Sequence, residues 1–524
     1  MATSVRNARR PILFRPLLLI ALLAFAATTA AQSAGDFLTQ YPGVYPEHGK
    51  ALVERYLADN RAIEARGPVD VKALVEGRLP KDTPGIGPAV VVTEAMVRYN
   101  NGKYDPDNPL LNVAEYARKL GYRDILAYPT FGANDDIFMV PFPGDARDTL
   151  LVSQLNHSIT SHAPIYPGDT LYLVANHRSV TDLTPQQGSI YRSLAIRTDG
   201  SIYNQRGDKV NDVVFRVVES VKVYRDDKRP PGKPDFSRIW EAPDWKTRPA
   251  HVYTDADWDK IRQLWRAEKR QGAKPLYWED VKVGDQPAWT VDGPIDEGAM
   301  PTKPYGMGAG GNRTLKPELL DPRKSRKLVR GDDGIWRPRN KADYVPAVPD
   351  GAAAPPPPSN DGADVDTQNI HKKDDAGVDT ADVHKKEDSR GILINFVGRD
   401  LAIRHVHNWI GDRGWLYNIR WGIMPAATHA ALGKPVPENP DAVDFLSKVP
   451  FLQGRTVNAH PLTGDLFIVK SYVYDKYFRD EQGYAELAWW IETIDGYIVE
   501  AGGATVRLPS RDANLTIAPE ESRR

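Results

Sequence analysis

The densest group of side chains able to transfer protons lies near residue 405. It comprises two imidazoles, an amide, a carboxylate and two guanidiniums: Arg404, His405, His407, Asn408, Asp412 and Arg413. If this segment is helical, His405 and Asn408 share a face, as do Asn408 and Asp412, because residues three or four apart are neighbours on a helix. Such a trio could act as base, orienting amide and acid in proton transfer, with His407 pointing elsewhere. The other interpretation is that His405 faces solvent and Asp412 simply ends the helix.

A second polar group lies in the first half of the chain. Asp105, Asp107 and Asn108 precede Pro109, which is the pattern of a helix N-cap followed by proline in the first turn. His162 precedes a Gly-Asp turn, and it could either line a ligand tunnel or face solvent. No metal site is expected, because the sequence shows no third ligand beside His405 and His407.

Composition limits the classes of function. A chain of 524 residues is too long for one core. Its 69 acidic and 68 basic residues nearly cancel, which argues against a nucleic-acid partner, since such proteins need a basic face. The chain has no cysteine, so disulfides, thiolate catalysis and Cys-containing zinc sites are excluded.

The N-terminus predicts an export signal over residues 1–34. Arg9 and Arg10 precede the short apolar run Leu17–Ala27, and small residues follow at Ala30–Ala34. These are the three parts of a secretory signal, and the run is short for a membrane span. We therefore expect export to the periplasm, with no transmembrane segment left after signal removal. The alternatives are an uncleaved anchor or an over-called start codon on a cytoplasmic protein.

Changes in composition divide the rest of the chain. Residues 35–85 are expected to be helical, and 86–228 to form a first domain of short strands. Residues 229–290 connect to the second domain, with one amphipathic helix near Asp255–Lys269. Residues 291–390 are expected to be an irregular, disordered insert, because Pro355–Pro358 and many charges leave little to bury. A short motif repeats inside it from Asp366 and from Asp379. Residues 391–512 form the second domain, and 513–524 a tail.

A larger repeat links the two domains. Gly168 and Gly464 each open a predicted strand, and an Asp-Gly pair follows each at Gly200 and Gly496. The interval is 32 residues in both halves. Because Asp-Gly favours tight hairpins, the spacing predicts two copies of one strand meander.

Four segments carry a resemblance to a known family. They are Pro167-Gly168-Asp169-Thr170-Leu171, Tyr104-Asp105-Pro106-Asp107-Asn108-Pro109-Leu110, Tyr277-Trp278-Glu279-Asp280-Val281-Lys282-Val283-Gly284-Asp285 and Asn408-Trp409-Ile410-Gly411-Asp412. They resemble the MaoC-like, double-hotdog acyl dehydratases. The resemblance implies an α+β fold with two hotdog units in one chain, each a long helix wrapped by an antiparallel β-sheet. It also implies a homodimer through the hotdog sheets as one possible assembly.

The family's activity is the reversible addition of water to an enoyl thioester, and this chain departs from its motif. Pro106 and Leu111 stand where the family carries its catalytic Asp and His. The first half is therefore expected to lack acid–base groups. The second half would supply the catalytic residues His405, Asn408 and Asp412. The substrate-binding residues would be His407, Arg404, Asn108 and His162.

Three functions stay open at this point. The first is a lyase acting on a small acyl ligand carried as a thioester such as CoA, without a further cofactor. The second is a non-catalytic ligand-binding or assembly protein, which both the missing motif residues and the export signal favour. The third is a thioesterase, since a fold does not fix the activity. Whether the chain is an enzyme at all is therefore undecided by its sequence.

Overall fold

The computed structural model describes residues 47–135, 137–138, 149–183, 191–222, 249–295, 316–338, 396–422, 444–459 and 461–512. The helices are α1 Glu47–Arg66, α2 Val71–Val75, α3 Glu94–Tyr104, α4 Pro109–Asn112, α5 Ala114–Lys119, α6 Asp255–Ala267, α7 Lys316–Leu320, α8 Pro322–Ser325 and α9 Phe396–Ile410. The strands are β1 Val90–Val91, β2 Thr149–Ser161, β3 Thr170–Leu183, β4 Tyr191–Tyr203, β5 Lys209–Lys222, β6 Thr290–Asp292, β7 Leu328–Arg330, β8 Trp336–Pro338, β9 Trp415–Gly422, β10 Phe467–Arg479, β11 Gln482–Glu492 and β12 Ile498–Leu508.

Ten of these strands form one antiparallel sheet in the order β1-β3-β4-β5-β2-β9-β12-β11-β10-β6. The two halves of the sheet have the same arrangement, each starting from its own outer edge. In the first half, the short strand β1 is followed by the meander β3-β4-β5 and then by β2 at the centre. In the second half, β6 is followed by β10-β11-β12 and then by β9. The halves join where β2 pairs with β9, with Ile159 opposite Ile419. The chain therefore contains two hotdog units, and the expected fold class is confirmed.

Helix α9 runs along the inner face of the second half and contacts β6 and the strands β9 to β12. Alternate residues of β11, including Leu487, Trp489 and Ile491, face it in the core. The helix is enclosed so fully that its charged Arg399 and Asp400 are 0 % exposed. Because buried charges need partners, this helix is where the structure concentrates polar contacts.

The first half differs from the expected helix-in-sheet unit. Between residue 86 and β2, the described residues form the three short helices α3, α4 and α5 rather than one long helix. The long helix α1 packs instead on β3, where the Arg66 guanidinium donates to the Ala175 carbonyl at 3.0 Å. The expectation of a long helix in each unit is thus met by the described residues of the second half alone.

The equal 32-residue spacing proves not to be structural. Gly496 lies in the β11–β12 turn with φ +83°, as predicted. Gly200 lies inside β4, opposite Val213 of β5. A Cβ there would stand 2.2 Å from the Phe138 ring, so glycine is required by packing and not by a turn. The turn between β4 and β5 contains Gly207 instead, at φ +82°.

The expected disordered insert also contains ordered structure. Helices α7 and α8 and the β7–β8 hairpin lie between residues 316 and 338. Ile335 of this segment packs with Trp258 and Trp265 of α6. A few apolar residues are enough to order this segment because α6 supplies the large aromatic side chains that cover them. The composition of the segment does not reveal this contact with α6.

Some predictions lie outside the described residues. These are the export signal at 1–34, the short repeat from Asp366, the disorder expected over Ala352–Ser389 and the tail at 513–524. Among the helices that the structure describes, none has the length and apolar character needed to cross a membrane.

Candidate functional site

A cleft of about 630 Å³, part of it open to solvent, lies where the two halves meet. Its wall is largely apolar and includes Leu111, Leu126, Ile165 and Leu416. The ionisable and amide side chains on the wall are Asn108, Asn211, His407 and Asp412, together with the tyrosines Tyr122 and Tyr128. Both halves and the end of α9 therefore contribute to one site.

Asn108 is placed by the start of α4. Its Oδ1 accepts from the Leu110 N–H at 3.1 Å, with Pro109 in the first turn, so its predicted capping role is confirmed. Its Nδ2 donates to Asp105 Oδ2 at 2.8 Å. An amide nitrogen carries two hydrogens, which leaves one for a ligand in the cleft.

His407 and Asp105 face each other across the two halves. His407 Nδ1 lies 3.6 Å from Asp105 Oδ2, and the imidazole meets the Tyr128 ring edge-on at 5.9 Å between centroids. Asp105 is 1 % exposed. The sequence predicted that His407 binds substrate and points away from the proton-transfer trio, and the structure places it on the wall of the cleft.

The surroundings of Asp105 favour its carboxylate form. Burial on its own would raise the pKa of Asp105, but the neighbouring His407 imidazole and the charges of Arg404 and Arg270 act against it. The net effect lowers the pKa of Asp105 below its ordinary value. A buried carboxylate beside an imidazole fixes the orientation of the ring.

Asp412 lines the cleft from the turn that follows α9. One of its oxygens accepts from the Tyr116 hydroxyl at 2.6 Å, and the other accepts from Arg270. Arg270 Nη2 also donates to Asn108 Oδ1 at 2.6 Å. Burial and the hydrogen bond to Asp412 raise the pKa of Tyr116 to about 12. Because a guanidinium and a phenol both donate to it, Asp412 is suited to position its neighbours rather than to give up a proton.

His405, expected to be the base, lies outside this cleft. It is 0 % exposed, and its ring nitrogens contact Thr290 Oγ1 at 3.1 Å and Ser471 Oγ at 2.8 Å. Burial lowers the pKa of His405 to about 3, so the imidazole is neutral at physiological pH. A proton-transfer partner must reach the substrate, and this ring is sealed between β6 and β10.

Asn408 shares the face of His405 as predicted, since its Nδ2 also reaches Thr290 Oγ1, at 3.5 Å. That face is turned away from Asp412, so the expected trio does not converge. The physical reason is that α9 ends at Ile410 and Asp412 belongs to a 3₁₀ turn, which breaks the helical spacing.

Arg404 and His162, expected to bind substrate, have protein partners instead. Arg404 is buried against Glu268 at 3.1 Å and Asp292 at 3.4 Å. Burial would lower the pKa of Arg404, but these carboxylates outweigh it and raise the pKa above its ordinary value. His162 Nε2 contacts Asp212 Oδ2 at 2.8 Å. Neither side chain lines the cleft.

Within the part of the chain that the structure describes, no group of three His, Asp or Glu side chains is arranged to hold a metal ion. The polar groups of the cleft are an imidazole, two amides and carboxylates already paired with cations or hydroxyls. This set is suited to acid–base chemistry on a bound organic ligand.

No family model and no curated protein matches this sequence. Among solved structures, a MaoC-like dehydratase is 14 % identical, with 80 % of this chain and 95 % of that chain covered at a TM-score of 0.38. A MaoC domain protein dehydratase from Chloroflexus aurantiacus is also 14 % identical, covering 81 % and 94 % at 0.37. A Mycobacterium tuberculosis protein described as a double hotdog is 11 % identical, covering 85 % and 99 % at 0.37. Two of these neighbours are thus described as MaoC-type dehydratases and one as a double hotdog.

Three residues contact the side chains that line the cleft, and the sequence gave none of them a role in the chemistry: Asp105, named there only as a possible helix cap, Tyr116 and Arg270. The family motif directs attention to position 106, one residue past Asp105. Tyr116 contacts Asp412 from 296 positions away in the chain, and no local spacing signals such a pair. Arg270 lies in the connection, where the sequence predicted nothing functional.

Proposed function

We propose that this chain is an acyl-thioester hydratase or dehydratase whose acid–base pair is split between its halves. The observation that carries the proposal is the buried Asp105 carboxyl, 3.6 Å from His407 Nδ1, with His407 on the wall of the cleft. The family's motif places Asp and His on one segment, where this chain has Pro106 and Leu111. Here the carboxylate comes from the first half and the imidazole from α9 of the second.

The proposed reaction uses His407 as the base. With Nδ1 directed at Asp105, Nε2 is the ring nitrogen left to take a proton from water. The water oxygen bonds to the β-carbon of the enoyl thioester, and the double-bond electrons move to the α-carbon and the thioester oxygen. The imidazolium then returns its proton to the α-carbon, so one water is added in total. The steps reverse for dehydration.

Two further residues have roles in this scheme. Asp105 stabilises the imidazolium while it exists, which is the task of a buried carboxylate behind a catalytic histidine. The second Nδ2 hydrogen of Asn108 can donate to the thioester oxygen, where negative charge develops during the reaction, or to the oxygen of the attacking water. The reaction requires no cofactor, and the acyl group would arrive on a carrier thiol such as CoA.

The test is turnover of enoyl and 3-hydroxyacyl thioesters by the wild type, His407→Gln and Asp105→Asn. General acid–base catalysis contributes roughly 10²–10⁴-fold, so His407→Gln should lose about that much. Asp105→Asn should lose less, because the imidazole remains. His162→Gln, which changes a histidine outside the cleft, is the matched control. Equal rates in His407→Gln and the control would reject the assignment.

A second candidate function is ligand binding without turnover, and Pro106 and Leu111 favour it because neither can transfer a proton. Export through residues 1–34, which we propose as well, would separate the protein from cytosolic CoA. Calorimetric binding of a non-hydrolysable acyl thioester with no product formed would support this function. Release of free thiol would instead indicate a thioesterase, and N-terminal sequencing of the native protein tests the export.

A further inference from the structure

The connection between the halves passes directly behind the cleft at residues 268–272. The Gln271 N–H donates to the Asn408 carbonyl at 2.8 Å, and the Asp412 N–H donates to the Gly272 carbonyl at 2.9 Å. Gly411 has φ +66°, and a Cβ there would stand 2.6 Å from the Gly272 oxygen. The segment is therefore fastened by its backbone to the end of α9.

This attachment places Arg270 between the two halves of the site. Its Nη2 donates to Asn108 Oδ1 at 2.6 Å on the first half and to Asp412 Oδ1 on the second. Both acceptors line the cleft. Arg270 therefore bridges Asn108 and Asp412. It belongs to the connecting segment and to neither hotdog unit.

The bridge helps to fix which way the Asn108 amide points. An arginine can only donate hydrogen bonds, so the amide oxygen faces Arg270 at 2.6 Å as well as the Leu110 N–H at 3.1 Å. The amide nitrogen is then directed to Asp105, at 2.8 Å, and its second hydrogen to the ligand. Without Arg270, only the longer Leu110 N–H bond would keep the amide oxygen from turning towards Asp105, which would place two acceptors face to face.

Arg270 is poorly arranged for a purely stabilising role. Its Nε and Nη1 are buried and have no hydrogen-bond partner within the described residues. Unsatisfied buried donors cost stability and are concentrated where a group serves another purpose. The two bonds it does make both go to residues of the cleft.

We propose that Arg270 is a positioning residue that orients Asn108 and Asp412 for the reaction and places its positive charge near the Asp105 carboxyl. This rests on the proposed function, but its electrostatic part does not need turnover to be seen. The charged groups that face Asp105 are His407, Arg404 and Arg270. Removal of one of the two guanidiniums should therefore be detectable at the carboxyl itself.

The experiment compares the full-length wild type with Arg270→Met, Arg270→Lys and the neighbouring exposed-lysine control Lys269→Met. Titration of the Asp105 carboxyl carbon by ¹³C NMR, assigned with Asp105→Asn, should give a higher pKa in Arg270→Met alone. Turnover of an enoyl thioester should fall about 10²-fold in Arg270→Met, the effect expected of misplaced reacting groups. Arg270→Lys should keep the wild-type Asp105 titration yet lose turnover, because Nη2 makes both bonds and a lysine side chain, one atom shorter, does not bring its ammonium to that position.

The outcomes separate this proposal from the proposed function. A wild type inactive on every thioester would reject the function, while the Asp105 titration would still test Arg270. An Asp105 titration unchanged in Arg270→Met would overturn the positioning proposal. If Arg270→Met does not fold, full turnover in Arg270→Lys would overturn it instead, and lost turnover with an unchanged titration would support it.

Discussion

His405 and His407 lie two residues apart on α9 and have opposite surroundings. The first contacts two hydroxyls in a sealed space between strands. The second lies on the wall of the cleft with a carboxylate behind it. On a helix, a step of two residues turns a side chain by about 200°, which accounts for the difference.

This contrast yields a paired prediction. His405→Phe leaves the hydroxyls of Thr290 and Ser471 without their ring partner, and each buried unsatisfied group costs about 1–3 kcal/mol. For the two groups together, we expect urea denaturation to show a loss of about 2–6 kcal/mol, with turnover of the folded fraction retained. His407→Gln should do the reverse, keeping most of the stability because its amide can still donate to Asp105, and losing turnover. A larger stability loss in His407→Gln than in His405→Phe would contradict this interpretation of the helix.

The sequence named three of the residues that line the cleft, Asn108, His407 and Asp412. It did not show what each of them contacts, because helical spacing places residues on one helix and does not show what packs against each face. The partners Asp105 and Arg270 become visible only when the halves are brought together.

At the scale of elements, α9 and β12 meet through a buried carboxyl. Glu500 of β12 is 1 % exposed and lies against Gly398, where a Cβ would stand 2.2 Å from its carboxyl carbon. Its Oε2 has no hydrogen-bond partner in the part of the chain described. Burial raises the pKa of Glu500 to about 8, with Arg399 opposing and Asp400 reinforcing the effect.

This carboxyl predicts a pH dependence of folding. The folded-state pKa lies above the ordinary value of 4.5, so the fold favours the protonated form. Its contribution is complete below about pH 4.5 and is lost as the pH rises towards 8. The limiting slope is about 1.4 kcal/mol per pH unit.

Denaturation of the wild type and Glu500→Gln at pH 5, 6.5 and 8 measures this. Glu500→Gln should remove that part of the slope and be more stable than the wild type at pH 8. Glu94→Gln, which changes an exposed glutamate on α3, should follow the wild type. Parallel curves for all three proteins would show that Glu500 is ionised in the fold.

Element prediction from sequence succeeded where the local pattern was strong. The amphipathic pattern placed α6 correctly, and the glycines at 464 and 496 marked the turns before β10 and β12. The insert was misjudged because residues 316–338 are stabilised by Trp258 and Trp265 of α6, a contact that no local window contains. The Asp199-Gly200 pair was predicted to form a turn. It lies inside β4 instead, where glycine is needed because the Phe138 ring packs against position 200.

At the scale of the whole molecule, the insert gives a further prediction. Deletion of Ala352–Ser389 should leave the thermal unfolding midpoint within about 2 °C of the wild type, since this charged, Pro-containing stretch has little apolar surface to bury. Differential scanning calorimetry measures it. As a positive control, the same assay on a deletion of residues 316–338 should show a large fall, because that segment packs on α6. A comparable fall for both deletions would mean that the insert contributes to the fold.

The pairing of β2 with β9 has a consequence for how this protein responds to dilution. In two separate subunits, a carboxylate on one and an imidazole on the other would part when the subunits dissociate. Here a single polypeptide carries both, so their meeting is intramolecular and its effective concentration does not depend on how much protein is present. Specific activity should therefore stay constant down to the lowest assayable concentration, whatever the oligomeric state of the chain.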